Sequence, residues 1–178
     1  KYENVISNKI NSIIPFSFLI LVFAQIAIGA FVSGMDAGKI YNSWPFMGDT
    51  YFPDDNNFKN LFKKSAFSDP SLVQFMHRNI AYIIGIFYLW IFYKIYKNKM
   101  FELYKPINIL GLLIILQIIL GVLTILYGAQ IYIASMHQIS SIFLVSSCIY
   151  FFYINSKINL QLSDLVYLKH QVLVSSLQ

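Results

Sequence analysis

Charge is what this sequence has least of. Of its 178 residues only 12% are charged and 57% are hydrophobic, where a soluble domain averages about 25% charged. There is a single cysteine, Cys148, so no internal disulfide can form and no redox compartment can be read from it. There is a single arginine, Arg78. No segment has the form of a phosphate-binding loop, a nucleophile triad or a carboxylate acid–base pair. The long apolar blocks contain no carboxylate at all. Zinc needs four ligands, or three and a water, from His, Cys and carboxylates, and the blocks do not supply them. The chain also starts at Lys1 instead of Met, as a processed protein or a piece of a longer one would.

What is present is apolar and long. Four blocks run from about residue 12 to 33, 71 to 93, 106 to 128 and 132 to 154. Each is about 22 residues, or some 33 Å of helix, enough to cross the hydrocarbon core. Helices are required, because open strands in lipid would leave backbone groups unpaired. The first block is too long for a signal peptide and has no small-residue cleavage site. The sequence therefore predicts an all-α integral membrane protein, a four-transmembrane-helix bundle over 12–155. It is preceded by a short segment, 1–11, and followed by a tail, 156–178, whose leucines suit an interfacial helix.

Lysine placement predicts the orientation. Lys1, Lys9, Lys94, Lys97, Lys99, Lys105, Lys157 and Lys169 fall on one side. On the other side, the loop 34–70 offsets Lys39, Lys59, Lys63 and Lys64 with Asp36, Asp49, Asp54, Asp55 and Asp69. The positive-inside rule puts both termini in the cytoplasm, or in the equivalent mitochondrial compartment. The net charge of +5 follows from this bias and requires no nucleic-acid partner.

The blocks repeat. Gln25-Ile26-Ala27-Ile28-Gly29 in the first is matched by Gln117-Ile118-Ile119-Leu120-Gly121 in the third; Met76-His77-Arg78 in the second is matched by Met136-His137-Gln138 in the fourth. The bundle is thus two pseudo-symmetric helical hairpins, related by an axis along the membrane normal. His77 and His137 both lie about 8–9 Å below the outer helix ends, in one layer with Gly29 and Gly121. Imidazoles in hydrocarbon are costly and mark function. Two of them at equal depth on separate helices suit the axial positions of a heme iron, with the glycines admitting the flat macrocycle. Arg78 is placed to meet heme carboxylates through a bidentate guanidinium. Gln25 and Gln117 suit hydrogen bonds between helices. Cys148 reads as small apolar packing, and His170 as a solvated tail residue.

The residues also carry a family resemblance. The segments Gly29-Ala-Phe-Val-Ser-Gly-Met-Asp-Ala-Gly38, Tyr41-Asn-Ser-Trp-Pro-Phe-Met-Gly48, Leu72-Val-Gln-Phe-Met-His-Arg78, Gln117 to Gly121 and Met136-His-Gln138 resemble the C-terminal half of the heme A synthase family (Cox15/CtaA type). The likeness runs from about residue 12 to 155. It implies an eight-span protein of two similar halves that oxidises the C8 methyl of heme O to the formyl of heme A for terminal oxidase biogenesis. It further implies a heme b cofactor held by His77 and His137 as iron ligands, and a missing N-terminal four-helix half that takes heme O with a Glu three residues before its own first histidine. Gln74 stands at that position here, so no catalytic residue is expected in this chain. The implied partners are a heme O synthase, an electron donor and membrane lipid. The implied location is a bacterial plasma membrane, or the mitochondrial inner membrane. A stand-alone bis-histidine electron-transfer cytochrome and a heme-free assembly scaffold are the alternatives.

Overall fold

The computed structural model describes the backbone of residues 9–175 and the side chains of residues 9–158. Four long helices make up the bundle: α1 (Ile13–Gly34), α2 (Pro70–Lys97), α3 (Tyr104–Leu126) and α4 (Ile131–Ser175). All four are long and apolar enough to cross a membrane, α4 over Ile131–Ile158. Their ends differ from the sequence expectation by a few residues, and α4 continues as one helix through most of the expected tail. The side chains of His170 and of the tail leucines lie outside the described residues.

Local chemistry sets the helix ends. Asp69 caps α2 by accepting a hydrogen bond from the Leu72 amide, and Pro70 takes the first helical position, where a missing N–H costs nothing. Lys94 and Lys97 occupy the last turn of α2, where cations suit the negative end of the helix dipole. Pro106 similarly falls in the first turn of α3. Between α1 and α2 the chain forms a long loop with short 3-10 turns at Ala37–Lys39, Phe58–Phe62 and Lys64–Ser68. Only a tight turn joins α3 to α4, and it uses Gly128 and Ala129 at positive φ.

The two hairpins, α1–α2 and α3–α4, pack side by side through α1 against α4 and α2 against α3. The aliphatic core gathers at the end away from the loop: Phe18, Val22, Ile84, Ile91, Ile95, Leu103, Ile107, Leu110, Ile114, Leu144, Cys148 and Phe151. Cys148 is buried there, as apolar packing would have it. Gly111 makes room for Tyr88, because a Cβ at 111 would collide with the tyrosine hydroxyl. Asn155, fully buried, accepts from the Ile10 amide (3.2 Å) and donates to the Ile10 carbonyl (3.0 Å). Large apolar side chains such as Ile86, Leu112 and Ile142 point outward at over 60% exposure, as lipid-facing residues do and water-facing ones seldom do.

Candidate functional site

The loop-end half of the bundle is built differently from the core. Here the four helices turn Gln25 and Gly29 of α1, His77 of α2, Gln117 and Gly121 of α3 and His137 of α4 toward one another. The His77 and His137 rings lie 6.4 Å apart between centroids, at 86° to each other. The Nδ1 atoms of both are buried without a partner. Among the described residues no three His, Cys, Asp or Glu side chains come together, so the polar layer offers two imidazoles and no third ligand of those types.

Each glycine backs a histidine of its own hairpin. A Cβ on Gly29 would lie 3.0 Å from Cε1 of His77, and one on Gly121 would lie 3.2 Å from Cε1 of His137. The space a side chain would fill is taken by an imidazole, a nearer neighbour than the macrocycle that the sequence suggested. Each glutamine likewise reaches the next helix of its hairpin. Gln25 donates through Nε2 to the His77 carbonyl (3.0 Å), and Gln117 donates to the His137 carbonyl (3.2 Å). The sequence repeat is therefore a structural repeat, carried by the same contacts twice.

The hairpins part company around this shared frame. In the first, Arg78 is buried and its Nη1 donates to the carbonyls of Ser43 (2.9 Å) and Phe46 (3.2 Å), while Nη2 donates to that of Tyr41 (2.9 Å). Its two terminal nitrogens thus hold the long loop, and Nε alone remains without a partner. Gln74 joins it, donating to the Tyr41 carbonyl at 3.1 Å. Spacing of three had placed Gln74 beside His77, but spacing of four equally places it beside Arg78, and the loop carbonyl decides the rotamer. In the second hairpin no long loop needs holding. Gln138 stands in place of Arg78 and donates to Ser33 of α1 at 3.3 Å, tying the hairpins together.

The loop is spread over this end of the bundle. Asn42 donates to the carbonyls of Gly38 and Ile125, the latter at 2.9 Å near the end of α3. Trp44 donates to the Tyr82 hydroxyl and Tyr51 to the Asn79 side chain. Tyr41 donates its hydroxyl to Asp54; burial first, and that carboxylate second, push its pKa up to about 12. These loop anchors were not legible beforehand: those of Asn42 end on main-chain carbonyls, and the side-chain pairs depend on how the loop folds back over the helices. Ser140, which accepts from Gln117 at 2.6 Å, was also missed, although its place three residues after His137 is a visible signal.

With this layer in view, the comparisons with known proteins are specific. Residues 4–149 match the COX15-CtaA family model, described as cytochrome oxidase assembly protein. The chain belongs to that family. It is similar to a heme A synthase of Pelagibacter ubique (strain HTCC1062), at 40% identity over 149 residues, covering 84% of this chain and 44% of that protein. It is likewise similar to a heme A synthase of Rickettsia bellii (strain OSU 85-389), at 38% identity over 155 residues, 82% of this chain and 44% of that one. A third relative, a heme A synthase of Roseobacter denitrificans (strain ATCC 33942 / OCh 114), is 37% identical over 116 residues, 65% of this chain and 30% of that protein. The chain thus spans under half the length of the relatives it matches. No solved structure matches it. The relatives are bacterial, and four membrane-length helices in such a family member make a multi-pass inner-membrane protein.

Proposed function

We propose that this chain is the C-terminal, cofactor-binding half of a heme A synthase and holds one heme b between His77 and His137. The separation of those two rings carries the reading. Two imidazoles brought close from separate helices are the side chains that would hold a heme iron. The observed separation is 6.4 Å. The donor set agrees: two neutral nitrogen ligands, with no thiolate or carboxylate to favour a harder or softer ion.

Charge supports the same reading. Among the described residues the one side-chain ion pair is Lys39–Asp36, so the buried guanidinium of Arg78 has carbonyl partners and no counter-anion. A buried cation in that state favours an anionic group nearby, and its unpartnered Nε is the donor left for a heme carboxylate. Arg78 then serves twice, holding the loop and balancing the cofactor's charge. Gly29 and Gly121 serve the cofactor through the histidines they back.

When bound, the heme would supply one-electron transfer to the half that takes heme O. The residues here would do the rest: His77 and His137 would hold the iron, Gln25 and Gln117 hold the histidine carbonyls, and the loop anchored by Arg78 and Gln74 would keep water from the layer. Gln74, a neutral amide held by the Tyr41 carbonyl, can neither donate nor accept a proton as a carboxyl would, so oxidation of the C8 methyl belongs to the missing half. The lysine bias supports a topology with both termini on the cytoplasmic side. The whole protein takes heme O from its synthase and electrons from a membrane donor.

Expression of the chain alone, with heme available, tests this. A purified protein with one low-spin, six-coordinate heme b, converting no heme O even with reductant, is the expected result. Colourless protein would overturn heme binding, and heme A made by this chain alone would overturn the assignment of halves.

A further inference from the structure

Gln25 does one thing that Gln117 does not. Its Nε2 lies 3.0 Å from the His77 carbonyl and also 3.3 Å from Nε2 of the His77 ring. A backbone carbonyl can only accept a hydrogen bond. The amide atom facing it is therefore the nitrogen, since the opposite flip would set two acceptor oxygens against each other. That orientation leaves the Gln25 Oε1 buried without a donor, yet it makes two hydrogen bonds where the flipped one makes one and a repulsion. The amide nitrogen has two protons. One goes to the carbonyl and the other points at the ring, so the ring nitrogen it meets must be an acceptor.

A neutral imidazole carries one proton on one of two nitrogens, and the partner of one fixes the state of the other. With Nε2 accepting, the proton of His77 sits on Nδ1, which is buried and has no partner of its own to hold it there. We propose that Gln25 is a positioning residue that sets the tautomer of His77, reserving on Nε2 the lone pair that iron ligation uses. His137 receives no such help. Gln117 spends its two protons on the His137 carbonyl (3.2 Å) and on Oγ of Ser140 (2.6 Å). The position that matches Ser140 in the first hairpin, three residues after the histidine, is Ile80, which has nothing to accept with. One side chain, serine or isoleucine, thus decides whether the glutamine's second proton goes to a hydroxyl or to a ring.

The use of this lone pair rests on the heme reading above; the tautomer itself does not. It also implies an order of events at His77. Ligation through Nε2 would take that acceptor from Gln25 and leave its amide the His77 carbonyl.

The test is nitrogen NMR of the 178-residue chain labelled with 15N-histidine and prepared without heme in lipid nanodiscs, where protonated and bare ring nitrogens have well-separated shifts. His77→Ala, His137→Ala and His170→Ala assign the three residues. The expected result is one form for His77, with Nε2 bare and Nδ1 protonated, and a mixture of both tautomers for His137. Gln25→Met should turn His77 into a mixture. Ile80→Ser leaves Gln25 in place and should do the same by offering its proton a hydroxyl, while Ser140→Ile should narrow His137 to the form seen at His77. A protonated Nε2 at His77, or a His77 tautomer unmoved by both Gln25→Met and Ile80→Ser, would overturn the proposal. Heme titration of the same samples separates the two questions. Six-coordinate heme uptake with an uncontrolled tautomer leaves the heme reading standing without this one. A controlled tautomer with no uptake upholds the role of Gln25 and removes its use.

Discussion

His77 and His137 face each other across the bundle with ring centroids 6.4 Å apart and planes nearly perpendicular. The two residues are separated by 60 positions in the chain, yet each ring rests on a glycine and each carbonyl is held by a glutamine. The pair is a product of the repeat, and its failure modes follow from the parts.

Loss of either ring should abolish low-spin heme. His77→Ala and His137→Ala are expected to give protein with no six-coordinate spectrum, and His170→Ala a normal one. Absorption and electron paramagnetic resonance of the purified variants check this. A normal spectrum in either span variant would sink bis-histidine ligation.

The glycines should be sensitive to a single methyl group. A Cβ at residue 29 meets His77 at 3.0 Å and one at residue 121 meets His137 at 3.2 Å, both closer than ordinary contact. Gly29→Ala should lower the heme-to-protein ratio more than Gly121→Ala, and leucine at either site should abolish binding while the protein still inserts. Equal heme content in Gly29→Ala and the parent would show that the ring has room to move.

Arg78 should matter to the loop before it matters to anything else. Arg78→Gln removes three hydrogen bonds from a charged donor, and such bonds are worth about 1.5–3 kcal/mol each. The loop around residues 41–46 should be cut faster by protease in Arg78→Gln, with the helices intact. An unchanged cleavage rate would mean that Gln74 and Asn42 hold the loop without it.

Strongly alkaline solution should loosen the same loop. Tyr41 titrates at 10.0 in an unfolded chain and at about 12 here. Between those values the folded form binds more protons than the unfolded form, so stability falls as pH rises. Denaturation midpoints of the parent and of Tyr41→Phe, compared from pH 9 to 12, should converge as pH increases. A constant difference would place the hydroxyl in an ordinary environment.

Orientation has its own experiment. Phe62 in the loop and Phe101 between α2 and α3 are 78% and 69% exposed. With Cys148 replaced, cysteine at 62 should react with an impermeant reagent in intact cells and cysteine at 101 should not. The opposite pattern would reverse the topology.

The helices and the repeat were legible because both are written in side-chain type. Apolar runs of membrane length have few alternatives, and Gln-x-x-x-Gly followed by Met-His recurs at matching depth. The glycine–histidine contact was half legible: the layer was evident, but which flat ring fills the gap depends on helix rotation, which spacing alone does not give. The roles of Arg78 and Gln74 were not legible, since a carbonyl acceptor belongs to every residue and leaves no mark in the sequence. The same holds for Asn155, whose partner is the main chain of Ile10.

That last contact joins positions 145 residues apart. Ile10 is synthesised just before α1, and Asn155 follows most of the membrane-length part of α4. Until it arrives, the Ile10 amide and carbonyl have no such partner, and α1 enters the bilayer without its anchor. The clasp therefore closes only once most of α4 has been made, and a chain truncated before Asn155 would carry both histidines and lack this fastening between α4 and the residues just before α1.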